Sequence, residues 1–535
     1  MMMKHRIFLL LLVLSLMCGL CACTAAPTDT GASAQTDELS DAQETTASSV
    51  SDGTETIIQF TDEAAFVSGS GCEADGTALT VSESGVYRLS GSCADGSVTI
   101  KKGTTDVTLI LDNLTLTSTD TAPITCGKSS QVTIEAAAGT VNALSDSEQN
   151  NGDTYPANEN AENAVLKCKD GSQVTLCGTG SLTLTANGKN GIKSGASTDE
   201  GGEASLTIRE VTLTIHAPVN DAINAGQLLT IESGELTISA ADDAIHCDYT
   251  LQIGAEGTDG PAISITDCYE GLEAATLNVA SGDIRIRASD DCLNAANSDL
   301  TGFDFSMNLS GGTINAYTTD GDGFDSNGTM TISGGTICVW TANTADNQPL
   351  DADGTITITG GTVLAAGGSA GMGMKFSVSQ PYVTFGQSGG MQPRGGGADA
   401  LISNGSTLAI WDETDTLFST EAPCSARFVF YSSPELTEDG SYTLLSDGEN
   451  AGTAEAQTGE SQSGFGGMTG GRPGGFDPNG EVPSDMPNSE TPPTPPDGGT
   501  PPEKPDGTSM PEPPDGSTPP EKPDGAPEPP DSGSV

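Results

Sequence analysis

From about residue 55 onward, apolar and polar positions alternate in short runs broken by Gly, Asn and Asp, as in Val98-Thr99-Ile100, Val107 to Leu116 and Val132-Thr133-Ile134. This two-residue period predicts strands, with one face buried and the turn residues marking corners. The runs also recur. Residues 229–245 read LTIESGELTISAADDAI and residues 277–293 read LNVASGDIRIRASDDCL. Shorter copies begin at Met307, Met330 and Ile356, each an alternating strand, a Gly-Gly turn and a second strand. The apolar residues of a third, short strand, Ile192, Ile223, Ile245, Leu272, Leu293, Phe324 and Leu350, follow one another at 31, 22, 27, 21, 31 and 26 residues. A step near 22 residues is one turn of a three-stranded coil, and the longer steps carry corner loops.

One such coil cannot bury its own apolar side chains. Stacked coils align each strand with its equivalent above and below, in parallel ladders about 4.8 Å apart. The expected fold is therefore all-β, a right-handed parallel β-helix over residues 55–446. Leu401 to Ile410, Arg427 to Tyr431 and Ser441 to Leu445 serve as capping strands, and the Gly- and Met-rich stretch 386–398 reads as a loop. A β-sandwich does not explain why an acidic turn returns at the same point of every unit.

The flanks differ in kind. Residues 1–23 read as an export signal, with Lys4, His5 and Arg6 before an apolar run from Ile7 to Met17. Leu20-Cys21-Ala22-Cys23 resembles a bacterial lipobox, which implies cleavage before Cys23, lipid attachment there and a membrane anchor on the outer face of the cell. The plainer reading is a secreted protein. Residues 24–54 are a Thr/Ser/Ala-rich linker, and residues 447–535 are a disordered Gly/Pro-rich tail that repeats PPEKPDG at Pro501 and Pro519.

Charge narrows the function. The chain has 535 residues, with 74 Asp and Glu against 19 Lys and Arg, for a net charge of -55. Such a chain repels nucleic acid, whose binding needs basic residues to displace counterions. It suits a cation binder. The ten cysteines after Cys23 include no CxxC pair and no His at zinc spacing, which argues against a zinc site. Cys72 and Cys93 flank a strand pair, which leaves a bridge open, and others such as Cys247 read as buried small hydrophobes.

The acidic turns Asp221-Ala-Ile-Asn, Asp243-Ala-Ile-His, Glu270-Gly-Leu-Glu, Asp291-Cys-Leu-Asn and Asp322-Gly-Phe-Asp share one phase of five coils, with Asp242, Asp290 and Asp320 just before some of them. Stacking brings their carboxylates about 4.8 Å apart. Bare pairs at that distance repel by roughly 3 kcal/mol at an effective dielectric of 20. Calcium, which takes oxygens at about 2.3–2.6 Å, turns that cost into a gain. Glu273, Asp325, Asn224, His246, Asn294 and Asp351 follow at polar positions suited to further ligands or hydrogen bonds. The competing reading is that Asp and Asn simply suit tight turns.

On the second strand, taking Leu213, Leu236, Ile263, Ile284, Ile314 and Ile337 as inward turns His216, Ser239, Thr266, Arg287, Tyr317 and Trp340 outward. Arg287, Tyr317 and Trp340 then form a candidate carbohydrate-binding platform, because aromatic faces stack on sugar C–H faces and Arg pairs with uronate carboxylates. A chance cluster of surface side chains is the alternative. A lyase needs a base, and of Lys189, Lys193, Arg209, Arg285, Arg287 and Lys375 only Lys193 lies in the phase of the acidic turns.

DDAIHCD (242–248), YEGLE (269–273) and SDDCLN (289–294), with VYRLSG (86–91) and LILDNL (109–114), resemble the repeat signatures of a clostridial carbohydrate-binding β-helix family. The resemblance covers about residues 55–446. It implies a pectate-lyase-like fold, bound calcium and binding to cellulose or acidic plant polysaccharide, with Asp243, Glu270 and Asp291 at the family's acidic positions. Ala244 and Cys292 stand where that family has Gly. The expected function is calcium-dependent polysaccharide binding. A calcium-dependent lyase and a non-catalytic adhesive or spacer stalk remain as alternatives.

Overall fold

The computed structural model describes residues 55–198, 203–342, 347–367, 376–386 and 400–460. The export signal, Cys23, the 24–54 linker, the 387–398 part of the loop and the chain beyond residue 460 lie outside the described residues.

Alternation becomes a coil because each run pairs with the next copy of itself. The short-strand ladder stacks Ile192, Ile223, Ile245, Leu272, Leu293 and Phe324 in register, and Phe324 bridges to Leu350. The ladder of the next strand stacks Leu206, Leu229, Leu251, Leu277, Met307, Met330 and Ile356. The third stacks Leu213, Leu236, Ile263, Ile284, Ile314 and Ile337. All these pairings are parallel, and the aligned residues are almost fully buried in one core running from Ile58 to Phe430. The protein is a parallel β-helix.

The corners need glycine. Gly335 has φ +83°, and a Cβ there would come within 2.7 Å of the Gly312 carbonyl oxygen one coil away. The coils stack only because this corner has no side chain. In the acidic turn the small-residue position is less demanding, since Ala244 and Cys292 are both fully buried where Gly was the family expectation.

Two features depart from the sequence reading. First, strands continue past residue 446, at Glu449–Glu455 and Gln457–Glu460, so the expected tail boundary moves from 447 to at least 460. The segment Glu449–Glu455 has little apolar content to betray it. It is held by antiparallel pairing with Ser441–Ser446, inside a four-stranded sheet with Thr407–Trp411 and Thr416–Glu421. Second, this cap does more than close the end of the coil. Phe428–Ser432 pairs antiparallel with Thr362–Gly367 and Phe376–Gly386. A second core then forms on the outside of the last coils, where Leu408, Ile410, Val429, Tyr431 and Leu444 pack with Cys338, Trp340 and Leu364. The cysteines of the described residues are all free, so Cys72 and Cys93 form no bridge.

Candidate functional site

Two columns of polar side chains run along the corner beside the short-strand ladder. The first follows the acidic turns. Successive backbone bonds Ala222 N to Asp243 O (3.0 Å), Ala244 N to Glu270 O (2.9 Å), Gly271 N to Asp291 O (2.9 Å), Cys292 N to Asp322 O (3.3 Å) and Gly323 N to Gln348 O (2.8 Å) stack Asp221, Asp243, Glu270, Asp291, Asp322 and Gln348 one above another. The second column is outward on the short strand and pairs Lys167, Lys193, Asn224, His246, Glu273, Asn294 and Asp325 in register. Asp351 follows Leu350 one coil further on.

The columns touch. Asn224 Nδ2 donates to Asp221 Oδ2 at 2.7 Å, and Asn294 Nδ2 donates to Glu270 Oε2 at 3.0 Å. His246 Nδ1 lies 3.2 Å from Asp243 Oδ2 and also contacts Glu273 Oε2, while Nε2 lies 3.0 Å from Asp248 Oδ1. At the far end, carboxylate oxygens of Asp322, Asp325 and Asp351 lie within 4.8 Å of one another. Asp242 and Asp320 stay outside the columns, exposed in their turns, and Asp290 is half-buried beside Tyr269.

Burial and crowding show in the acidities. Burial, reinforced by neighbouring carboxylates, pushes Asp243 and Asp322 up to about 7 and Glu270 and Asp291 up to about 8. Asp325 rises to about 6 for the same reasons. Burial works against the charge on His246, yet its bonds to Asp243, Asp248 and Glu273 prevail and hold it at about 12. Burial lowers both Lys167 and Lys193; the Lys193 ammonium lowers Lys167 further, and Lys189 lowers Lys193.

The direction of these shifts gives a pH prediction for chelator-treated protein. The folded carboxyls take up protons at higher pH than unfolded ones, which titrate near 4, so between about pH 4 and 8 the folded state binds more protons and stability falls as pH rises. His246 acts in the same direction above about pH 6.5, the ordinary imidazole value. The melting temperature without metal is expected to be several degrees lower at pH 8 than at pH 5. A profile that is flat or rises over that interval in calorimetry contradicts the site as described.

The carbohydrate platform expected on the second strand is only partly formed. Arg287 is exposed, and its guanidinium carbon lies 5.1 Å from the centre of the Tyr317 ring. Trp340 stacks next to Tyr317 in the ladder, as its phase requires. It is only 2 % exposed, however, because the cap packs over it, and its Nε1 lies 3.1 Å from Cys338 Sγ. The expectation of an exposed Trp340 is therefore corrected. A signal was present in the sequence: Ile337-Cys-Val-Trp340 is apolar at inward and outward positions alike, the mark of a strand buried on both faces. The expected row also breaks at Thr266, where a bulge pairs Ser239 with Asp267 instead.

Several groups escaped the sequence reading. Lys167 joins the column although a long insertion separates it from the preceding coil. Tyr249, Phe303 and Phe305 form a half-exposed aromatic bank, with ring centres 6.3 Å and 5.5 Å apart in succession. Tyr249 follows Asp248, whose carbonyl accepts a bond from Asn297 Nδ2 at 2.8 Å, so the bank adjoins the polar columns. Tyr269 is exposed in the turn beside Glu270, and Asp290 is its hydrogen-bond partner.

A family model described as carbohydrate-binding domain-containing protein matches residues 75–371, more than half of the chain. A relative with the same description from Acetivibrio thermocellus is 33% identical over 115 residues, which is 21% of this chain and 39% of the relative, so the match spans about two fifths of the relative's length. The solved structure of a polysaccharide lyase-like protein from C. thermocellum, a gadolinium derivative, is 22% identical with a TM-score of 0.35, covering 57% of this chain and 97% of that one. By the extent of the family match, this chain belongs to the carbohydrate-binding domain-containing proteins.

Proposed function

We propose that the protein binds a polysaccharide along the corner of its β-helix, in a calcium-dependent manner and on the outer face of the cell. The observation that carries this reading is the polar double column bordered by the aromatic bank of Tyr249, Phe303 and Phe305. A linear glycan offers repeated hydroxyls to such a column and apolar ring faces to such a bank. The stacked pair Lys167 and Lys193 supports an acidic polysaccharide over a neutral one, since two half-buried ammonium groups one strand apart favour a shared carboxylate. Arg287, exposed on the third ladder, is a further group suited to a carboxylate. Family membership supports the ligand class, and the signal-like residues 1–23 with Cys23 support the location.

Calcium fits one end of the columns better than the other. Asp322, Asp325 and Asp351 bring three carboxylates together, and the side-chain oxygens of Gln348 and Asn294 are buried there without a hydrogen-bond partner among the described residues. An all-oxygen set of carboxylates and amides suits this hard cation. Asp243 and Glu273 fit it less well, because the imidazole of His246 lies between them. A lyase is less well supported. Lys193 and Asp325 are five strand spacings apart on one ladder, about 24 Å, whereas base and metal must meet on one sugar.

Retention on insoluble polygalacturonate and on cellulose tests this reading. Replacing both Tyr249 and Phe303 by Ala is expected to weaken retention about tenfold, the loss of roughly 1.4 kcal/mol of ring contact. Replacing Lys167 and Lys193 by Ala is expected to weaken retention on polygalacturonate and to spare cellulose. Retention that both double variants leave intact rejects the corner as the binding surface. An ultraviolet-absorbing unsaturated product would favour the lyase.

A further inference from the structure

We infer that Asp243, His246 and Glu273 form a second metal centre, distinct from the calcium end, selective for a borderline transition ion such as zinc.

The ligand atoms of these three residues all lie within 4.8 Å of one another. A tetrahedral zinc with bonds near 2.0 Å separates its ligands by about 3.3 Å. The distance from Asp243 Oδ2 to His246 Nδ1 is 3.2 Å, close to that edge, and Glu273 Oε2 is in direct contact with the same Nδ1. All three side chains are mostly buried, at 13–19 % exposure, and come from adjacent coils of two stacked columns. His246 and Glu273 are held by paired strands, and Asp243 by the short turn that leads into the first of them.

The other ring nitrogen supplies the second observation. His246 Nε2 lies 3.0 Å from Asp248 Oδ1, and Asp248 is the more exposed, at 44 %. A metal-bound histidine usually donates its remote N–H to a carboxylate, which fixes the tautomer and orients the ring. With Nε2–H donating to Asp248, the Nδ1 lone pair faces Asp243 and Glu273.

Charge balance points the same way. A single imidazole faces three carboxylates, from Asp243, Asp248 and Glu273, with Glu270 one coil away. A dication held by Nδ1 of neutral His246 offsets two of those negative charges. Three protein ligands leave a fourth position for water or a sugar hydroxyl. An imidazole nitrogen beside carboxylates favours zinc or cobalt over calcium, which takes oxygen ligands.

The test uses the full chain, stripped with chelator, then titrated with Zn2+ or Co2+ in excess Ca2+. One ion per chain is expected, with a visible cobalt absorption band that calcium leaves unchanged and zinc abolishes. H246Q is expected to abolish the band. D248N, which alters an exposed group outside the first ring of ligands, is expected to weaken binding 10–100-fold. D325N is expected to leave the zinc site intact while weakening calcium binding, which separates this inference from the calcium reading. No stoichiometric binding, or binding lost in D325N but kept in H246Q, overturns it. Circular dichroism and thermal melts establish that each variant is folded.

Discussion

Returning calcium to chelator-stripped protein is expected to raise its unfolding free energy by about 2.7 kcal/mol at a hundredfold excess over Kd. The gain arises because Asp322 and Asp325 sit among other carboxylates, Asp351 and Asp290 included, in a half-buried corner where burial already disfavours their ionised forms. A cation that binds only the folded chain removes that repulsion. D322N and D325N each delete one charged ligand and relieve part of the same strain. The metal-free variants should therefore melt no lower than metal-free wild type, while most of the calcium-induced rise disappears. Differential scanning calorimetry with and without chelator separates the two effects. A wild-type melt indifferent to calcium leaves the raised pKa values of this end with protonation as their only relief.

Trp340→Ala is expected to cost about 3–5 kcal/mol of stability, the range for deleting a large buried aromatic. Trp340 faces away from the interior of the coil, yet it is enclosed by the second core, with Leu364, Val383 and Tyr431 among its members. Its removal opens a cavity between the last coils and the cap. Because its ring is inaccessible, retention of polysaccharide per folded molecule should be unchanged. Denaturant unfolding gives the first quantity, and retention below the new midpoint gives the second. Weak destabilisation with a strong loss of retention would return Trp340 to the sugar-binding role that its phase in the repeat suggested.

These cases show where periodicity carries information. Ile192 to Leu350 was legible as one column because a solenoid turns spacing along the chain into stacking in space, with each coil templating the next. The acidic turns stack for the same reason: once the apolar residue of the short strand is in register, the side chains two before it and one after it are too. Fold and acidic ridge therefore come from one periodic signal. Lys167 was missed because the insertion between its coil and the preceding short strand hides the period, although its strand pairs in register with Lys193.

The sequence by itself determined the β-helix, its three inward columns and the placing of the acids along one corner, since a repeated alternation has few other ways to bury its apolar face. Only the tertiary structure decided which outward residues are exposed. Trp340 is covered by later strands that carry Val383, Leu408, Tyr431 and Leu444, which have no periodic relation to it. Tertiary structure also decided how the corner divides. His246 occupies the gap between Asp243 and Glu273, whereas Asp322, Asp325 and Asp351 converge on one another, and such differences depend on side-chain reach between neighbouring coils, which the spacing of a repeat does not encode.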